Sequence, residues 1–491
     1  MIYYTLEYEK HEYWVTVLSS LLVALGVLLD ILEEIIITIR YTLTYYFMRM
    51  KGVKSFSKKL REVFMNKTIR NKILFTLAIL AVYRLLVFIP VPFADIGALL
   101  SHTLGGTSDY GYFVMLLWGA LDQFSFIAIG ISPYITASII MQLAGVVIPA
   151  VEELSEQGEV GQAKINQYTR YLTLPLAFLQ GIGSVYLINS MLGGAVIDTS
   201  LVNVLLAGFT MMVGSIMLMW LGELITSKGI SNGISMLIFA SIVAGITQQL
   251  YSSFATAQSV WGMLMFVLVI VLVLVILSIF ILKSVKEIPI IYAKQGKAQQ
   301  SSSLPIPLNP VGMVPIIFGM AFVSFPYLLA KLVTQFNPAN VKLVAVAQWV
   351  ETHFNIYSAN PGVRAIFAYV IFIVLFTFFY AMITFSPDKI SDNIQKRGGF
   401  IPSIRPGKAT AQYINKILMH LCLWGGLGLA LIGIYSYILK WIPFVQTIVE
   451  AVGSLPTVVT GSGVIIIVGV VQEIVNKIEG ELVMKKYEAY E

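Results

Sequence analysis

The sequence has little of what most kinds of enzyme and metal chemistry need. Charged residues make up 12% of its 491 residues, whereas about a quarter is usual in soluble domains. It contains one cysteine, Cys422, and four scattered histidines, His11, His102, His353 and His420. A single cysteine excludes an internal disulfide, and these histidines do not have the spacing of a metal site. The HExxH and GxxxxGK[ST] motifs are absent, and GISNG (229–233), which has the GxSxG spacing, stands ahead of an apolar run, so no catalytic constellation is recognisable.

Long apolar runs are what the sequence does have. Hydrophobic residues make up 57% of the chain, and the mean hydropathy is +0.82. A bilayer-spanning helix needs roughly 20 mostly apolar residues. Ten such runs follow residue 70, near 73–92, 124–150, 170–191, 201–225, 233–250, 260–283, 311–333, 364–385, 413–438 and 455–476. These runs predict an all-α polytopic membrane protein.

The placement of basic residues predicts which ends of the spans face the cytoplasm. Residues 40–72 carry ten Lys or Arg, and the loops at 283–309 and 386–411 are also basic. The loops at 192–200 and 251–259 contain neither Lys nor Arg. Because basic loops stay on the cytoplasmic side, the N-terminal side of the ten-span core is predicted to be cytoplasmic.

An eleventh apolar run lies at residues 14–31 and leaves two alternatives open. Asp30 interrupts it, and Glu33 and Glu34 follow, which makes these positions costly at a bilayer centre. The segment either spans the membrane from 14 to 29 or lies in the interface. The leading residues are acidic and aromatic, and no small-residue cleavage site follows, so a secretory signal is not predicted.

Helix breakers open the second span of each half. Ten spans divide into two sets of five, and the second span follows GISPYI (130–135) in the first set and NPVGMVPIIF (309–318) in the second. Paired, breaker-interrupted helices in corresponding halves are typical of an inverted repeat with its working site between the halves. A second Gly-Ile-Ser opening stands in KGISNGISMLIF (228–239).

Isoleucines four residues apart follow two of these breakers. Ile131 and Ile135 share one helical face, as do Ile234 and Ile238. Such faces either meet lipid and neighbouring helices or point at a central constriction that excludes water, and periodicity does not distinguish the two. The glycine-containing region 95–122 is likewise either an external loop or sequence that lines a cavity.

Seven long motifs, taken in chain order, resemble the SecY family of protein-conducting channels. They are NKTIRNKILFTL (66–77), GISPYITASIIMQL (130–143), QYTRYLTL (167–174), MWLGELITSKGISNGISMLIFA (219–240), IPIIYAK (288–294), NPVGMVPIIF (309–318) and SDNIQKRGGFIPSIRPGKAT (391–410). The resemblance implies a ten-helix clamshell of two pseudo-symmetric five-helix halves around an hourglass pore, here with an extra N-terminal apolar helix. It also implies passage of unfolded secretory chains and lateral release of membrane segments.

The resemblance further implies roles for individual residues. The implied pore ring is Ile131, Ile135, Ile234, Ile238, Ile317 and Ile466. The implied plug is Met115, Leu116, Leu117, Trp118 and Gly119, within about 95–122. The implied lateral gate contains Pro133, Thr136, Gln142 and Pro315. The implied docking residues for a motor or ribosome are Arg405, Lys408, Arg397 and Lys294.

Three features depart from the family pattern. Trp118 precedes Gly119 where many members have two adjacent glycines, so the plug is expected to seat differently. The fourth cytoplasmic loop (292–310) has Gln and Ser in place of the usual basic cluster, which puts docking there in doubt. Most of the first 65 residues have no counterpart in a typical member.

The resemblance also implies an organisation and a set of partners. The expected segments are an N-terminal extension (1–65), a first half (66–259), a sixth helix with the fourth cytoplasmic loop (260–309), the rest of the second half (310–478) with the fifth cytoplasmic loop (386–411), and a tail (479–491). Expected partners are SecE-like and SecG-like small subunits, a SecA-like motor ATPase or the ribosome, signal sequences and membrane lipid; no cofactor is implied. One hypothesis is that the N-terminal helix replaces or augments a small subunit.

Two other classes of function, a secondary transporter and an intramembrane enzyme, each require a site of their own. A secondary transporter needs an ionisable site at mid-span, and an intramembrane enzyme needs a Ser-His, two-Asp or His-metal set at membrane depth. Glu223 and Glu473 lie near the ends of their spans, and Arg84 is placed to snorkel outward. Neither kind of site is recognisable, and the resemblance implies a passive pore in the cell membrane.

Overall fold

The structure is a computed structural model. It describes residues 65–93, 125–191, 200–256, 260–292, 300–336, 340–354, 362–443 and 461–488. The predicted plug, Lys294 and the apolar run at 14–31 lie outside these residues. The chain divides into two compact units, Met1–Asn66 and Lys67–Glu491, and the elements below all belong to the second.

Helices dominate the described residues. In chain order they are α1 Lys67–Leu86, α2 Ser132–Val147, α3 Pro149–Glu156, α4 Glu159–Met191, α5 Leu201–Lys228, α6 Gly233–Thr256, α7 Val260–Lys283, α8 Val314–Phe336, α9 Val341–Phe354, α10 Val363–Thr384, α11 Pro387–Lys396, α12 Lys408–Gly433, α13 Tyr435–Trp441 and α14 Gly461–Glu488. Each of the ten apolar runs overlaps at least one of these helices.

Five helical segments among the described residues are long and apolar enough to cross a membrane. They are Leu201–Lys228, Leu264–Lys283, Val363–Lys396, Lys408–Gly433 and Gly461–Met484. A sixth candidate is the bent pair Ser132–Val147 and Pro149–Ser155. Shorter apolar helices lie at Gly233–Thr247 and Val314–Val323. Length and composition thus mark the chain as a multi-pass membrane protein.

The apolar run at 124–150 is broken rather than straight. Helix α2 begins only at Ser132 and ends at Val147, and the chain then bends by 104° into the helix that starts at Pro149. Ile148, at the bend, is extended (φ −106°, ψ 110°) because a residue before proline is disfavoured in the helical region. The spanning helix is therefore shorter than its apolar run.

The two breakers have the same geometry in both halves. Gly130 (φ +63°) and Gly312 (φ +69°) each adopt the left-handed conformation two residues before a helix begins. That conformation is accessible to glycine at little cost. Pro133 and Pro315 are the second residues of α2 and α8, where a missing N–H leaves no helical hydrogen bond unmade. In each half, the glycine and the proline together fix the residue at which the helix begins.

The turns before these two helices also pack alike. A Cβ on Gly214 of α5 would lie 2.0 Å from the Phe126 carbonyl oxygen, and a Cβ on Gly425 of α12 would lie 2.5 Å from the Leu308 carbonyl oxygen. Phe126 and Leu308 each stand four residues before the left-handed glycine. The repeat thus extends to tertiary packing, which supports the pseudo-symmetry of the two halves.

A small sheet closes one end of the bundle and was not predicted from the sequence. Strands β1 (Val285–Tyr292) and β2 (Gln300–Pro307) form an antiparallel hairpin, and β3 (Gly399–Phe400) pairs with the other edge of β1. Ile288, Ile290 and Ile306 are buried in a cluster with Ile394 and Leu418. The regions predicted as the fourth and fifth cytoplasmic loops are therefore one folded unit. We call this end of the bundle the sheet end.

Candidate functional site

The six isoleucines of the predicted ring lie in one apolar cluster. Ile131, Ile238 and Ile466 are buried members, and Ile135, Ile234 and Ile317 are half-buried and packed against them. They come from the start of α2 and from α6, α8 and α14. Helices of both halves therefore converge on one point. We call these six residues the isoleucine cluster.

The surroundings of the isoleucine cluster are also apolar. Leu221, Leu237 and Val470 are buried in the same cluster, and Met313 packs against it. The nearby polar pair is satisfied, since the Tyr83 hydroxyl and the Ser241 Oγ are 2.7 Å apart. A constriction lined by such side chains offers water no hydrogen-bonding partner, which is how apolar constrictions exclude water and ions.

A second apolar cluster joins α2 to α8, the two helices of the predicted gate. Its buried members are Ile139, Phe318 and Phe376. Phe318 meets Phe376 edge to face, with ring centroids 5.6 Å apart, an arrangement that aromatic pairs favour. Ile135 and Ile317 pack against this cluster as well as belonging to the isoleucine cluster. The same two side chains thus pack both in the isoleucine cluster and in the contact between α2 and α8.

The four predicted gate residues have different surroundings. Pro133 and Pro315 are buried in the first turns of α2 and α8. Thr136 Oγ1 accepts a hydrogen bond from Gln180 Nε2 at 3.5 Å, so this hydroxyl faces α4 rather than α8. Gln142 Nε2 donates to Ser138 Oγ at 3.2 Å, while its buried Oε1 has no hydrogen-bond partner among the described residues.

The second Gly-Ile-Ser opening forms a tight turn between α5 and α6. Asn232 Oδ1 accepts from the N–H of Ile234 at 3.1 Å, which is the role of an N-cap residue. Gly233 is required by packing, because a Cβ there would lie 1.8 Å from the Gly222 carbonyl oxygen. The turn places Ile234 and Ile238 at the start of α6, in the isoleucine cluster.

The Glu473 carboxylate of α14 accepts hydrogen bonds from the turn between α5 and α6. Glu473 Oε1 of α14 accepts from Ser231 Oγ at 3.1 Å and from the Asn232 N–H at 3.2 Å. Hydrogen bonds to a charged group are worth about 1.5–3 kcal/mol each, so this contact fixes α14 against α6. Ile466 stands two turns away on α14. From the sequence alone, Glu473 is only a charge near the end of a span, and nothing local predicts this contact.

Three predicted docking residues, Arg397, Arg405 and Lys408, are exposed at the sheet end. Thr410 Oγ1 donates to the Arg405 carbonyl oxygen at 2.9 Å, and Ser391 Oγ donates to the Gly407 carbonyl oxygen at 2.8 Å. Strand β3 ties the same segment to β1 through the Tyr292–Gly399 pair. The basic side chains therefore project from a backbone that is fixed on both sides.

The described residues contain no group of three or more His, Cys, Asp or Glu that could hold a metal ion. Their charged pairs near the sheet end are structural in character. Arg170 of α4 meets Glu223 of α5 with a 2.6 Å Nε–Oε1 distance, and Lys72 of α1 meets Glu481 of α14. Each pair joins two different helices.

Sequence comparisons match the chain to a family model and to named relatives. The sequence model of the SecY family matches residues 125–475. The protein translocase subunit SecY of Bacillus licheniformis is 39% identical over 441 residues, which is 86% of this chain and 97% of that protein. The subunit of the same name from Staphylococcus aureus is 35% identical over 453 residues, or 87% of this chain and 97% of that protein.

Structural comparisons give the same fold. A solved structure described as a protein-conducting channel matches with a TM-score of 0.56 and 19% identity, over 85% of this chain and 94% of that one. Sec61 in the canine ribosome-channel complex from the endoplasmic reticulum matches with a TM-score of 0.54 and 18% identity, over 85% of this chain and 94% of that one. The architecture is thus the two-halved channel fold that the motifs implied.

Proposed function

The chain belongs to the SecY family, and we propose that it is the pore subunit of a secretory translocase in the cell membrane. It passes unfolded preproteins across the membrane and releases membrane segments sideways into the lipid. It supplies no chemical energy itself, so a motor or a translating ribosome drives the chain. The observation that carries this function is the isoleucine cluster, which gathers side chains of both halves at one point.

The cluster explains how one site both seals and conducts. Isoleucine side chains contact one another when the pore is empty, and water finds no polar partner between them. They also make no directional bonds that a particular passing sequence would have to match. A polypeptide therefore passes with its side chains in contact with an apolar ring, whatever its sequence.

Two residues that belong to both apolar clusters explain how a chain in the pore can reach the lipid. Ile135 and Ile317 pack in both the isoleucine cluster and the cluster that joins α2 to α8. A chain that displaces them inside the pore removes part of the contact that keeps the two helices together. Contact between membrane helices depends on such packing, since lipid tails are as apolar as the side chains. An apolar segment in the pore thus weakens the contact between α2 and α8, and it can leave between these two helices into the lipid.

We further propose that the sheet end faces the cytoplasm and receives the motor or ribosome. The exposed Arg397, Arg405 and Lys408 suit an acidic protein surface or ribosomal RNA. SecE-like and SecG-like subunits complete the assembly. Helix α7 is well suited to face lipid or a small spanning partner, because Leu268, Leu272 and Ile276 along it are more than half exposed.

Locking α2 to α8 is expected to block translocation. In a Cys422→Ser background, cysteines replacing Ile139 and Phe318 are joined by a short bis-maleimide, and transport of a preprotein into proteoliposomes is measured. These two residues belong to the contact that must part, so the joined form should be inactive. The same double variant without the linker is the control and should transport. Equal transport by both forms would contradict a gate between α2 and α8.

A further inference from the structure

The turn between α5 and α6 is held by hydrogen bonds from three different helices. Thr226 Oγ1 of α5 accepts from the Gly233 N–H at 2.8 Å, and Thr76 Oγ1 of α1 accepts from the Ile230 N–H at 3.4 Å. The third helix is α14, whose Glu473 carboxylate accepts two further hydrogen bonds. Of these three helices, only α14 belongs to the second half of the chain. The Glu473 contact therefore crosses between the two halves.

The Glu473 contact resists separation of α14 from the turn. Ser231 is fully buried, and its hydroxyl donates to Glu473 Oε1 at 3.1 Å. The N–H of Asn232 donates to the same oxygen at 3.2 Å. If α14 moved away, the buried hydroxyl would lose this partner, which is costly because buried polar groups need hydrogen bonds. Hydrogen bonds are also directional, so the contact fixes both the distance and the orientation of the turn.

The turn leads directly into residues of the isoleucine cluster. Ile234 is the second residue of α6, and Ile238 follows one turn later. Asn232 Oδ1 caps this helix by accepting from the Ile234 N–H, while the N–H of Asn232 donates to Glu473. Ile466 lies seven residues before Glu473 on α14. One carboxylate thus links the helix that carries Ile466 to the turn that positions Ile234 and Ile238.

The two halves meet differently at this contact and at the predicted gate. Between α2 and α8 the contact is apolar, and its buried members are Ile139, Phe318 and Phe376. Apolar side chains make no directional bonds, so these helices can part and meet lipid or an apolar segment instead. Helix α6 packs against α14, and here Glu473 adds hydrogen bonds that lipid tails cannot replace. Parting of α2 from α8 therefore leaves the α6–α14 side joined.

We propose that Glu473 is a positioning residue that keeps the isoleucine cluster in its sealed arrangement and thereby sets how strictly the channel requires a signal sequence. This role rests on the translocation function proposed for the chain. Parting of α2 from α8 requires free energy, which a bound signal sequence supplies. While Glu473 holds the cluster in register, only a well-formed signal supplies enough. A looser cluster opens for a weaker signal, because less free energy separates the sealed and open states.

The test compares transport of two preproteins into proteoliposomes by the reconstituted translocase. One has a functional signal sequence, and the other has a charged residue inserted in the apolar part of its signal. Glu473→Leu is expected to raise the ratio of defective-signal to functional-signal transport roughly tenfold, the scale of one hydrogen bond to a charged group. Glu473→Gln keeps an acceptor oxygen and should stay closer to the unchanged protein. A variant with merely reduced stability would transport both preproteins less and leave the ratio unchanged.

Glu481 provides a matched control on the same helix. Its carboxylate also joins α14 to α1 across the two halves, by contacting Lys72, but it lies eight residues beyond Glu473. Glu481→Leu should therefore leave the transport ratio unchanged.

Ser231→Ala removes a hydrogen-bond donor from the other side of the Glu473 contact, and it should raise the transport ratio as well. In combination with Glu473→Leu it should add nothing further, because both changes remove the same interaction. Thermal unfolding of each variant confirms that it is folded. If Glu473→Leu does not fold, Ser231→Ala, which removes less, carries the same test.

Ion conductance of the empty channel tests the positioning role without a preprotein, a motor or a ribosome. Displaced isoleucines let water enter, so Glu473→Leu should raise conductance in a planar bilayer several-fold, and Glu481→Leu should not. A folded Glu473→Leu with unchanged conductance or an unchanged transport ratio, or equal changes in Glu481→Leu, would overturn the proposal. If the unchanged protein transported neither preprotein, the proposed translocation function would be contradicted instead, and conductance would still decide whether Glu473 positions the cluster.

Discussion

Substitution of serine for both Ile135 and Ile238 is expected to make a membrane that contains the protein leak ions. The two residues come from different helices, α2 and α6, and share the isoleucine cluster. Serine shortens each side chain and gives water a hydrogen-bonding partner, so the empty constriction can hydrate. A barrier lowered by roughly 1.4 kcal/mol raises conductance about tenfold. The measurement is single-channel or bulk ion conductance of the reconstituted protein in a planar bilayer.

The chain offers a matched control for this change. Ile140 lies on the same helix as Ile135 but is 40% exposed and belongs to neither apolar cluster that involves α2. Ile140→Ser removes the same atoms and adds the same hydroxyl away from the constriction, so it should leave conductance unchanged. A double Ile135→Ser and Ile238→Ser variant that is folded and does not leak would show that these residues do not seal the pore.

Charge reversal at Arg405 is expected to abolish driven translocation while leaving the closed pore tight. Arg405 is exposed at the sheet end, and the Thr410 hydroxyl binds its carbonyl oxygen, so the side chain projects from a fixed backbone. A glutamate there would face the acidic surface or RNA that a docking arginine attracts. Like charges brought together cost several kcal/mol, so transport by the motor or ribosome should fall roughly a hundredfold.

The control for Arg405→Glu is the same reversal of sign at a remote site. Lys164 is exposed on α4 and lies outside the segment that includes Arg405, so Lys164→Glu should retain most transport. Binding of the motor ATPase or the ribosome to each variant is measured in parallel. If Arg405→Glu transports as well as Lys164→Glu, docking does not involve this arginine.

The sequence predicted the elements whose signals are local. Glycine and proline in GISPYI and NPVGMVP predicted two helix starts. The signal is local, because glycine alone accepts left-handed backbone readily and proline alone lacks an N–H. The apolar runs predicted the helices, since a bilayer demands long apolar segments. Motif resemblance, rather than periodicity, indicated that isoleucines from four distant segments belong together, and the structure places all six in one cluster.

Other features depend on which residues meet in space, and the sequence did not predict them. The hairpin at 285–307 carries a short alternation in which Ile288 and Ile290 are buried and Pro289 is exposed. This alternation is a signal of a strand, but it is short and lies within a segment whose basic residues predict a cytoplasmic loop. The contact of Glu473 with Ser231 spans 242 positions, and nothing local indicates it. Thr136 is a further example, because its hydrogen bond with Gln180 places it against α4, which its position in the sequence does not indicate.

The most direct test of the central claim places a photo-crosslinking amino acid at position 135 and adds a stalled secretory precursor to the reconstituted translocase. The account predicts a crosslink that requires a functional signal sequence. The same probe at position 140, on the exposed side of α2, should give none with a precursor whose mature part is hydrophilic. Precursor that binds only at the sheet end, without a crosslink at position 135, would contradict a pore at the isoleucine cluster.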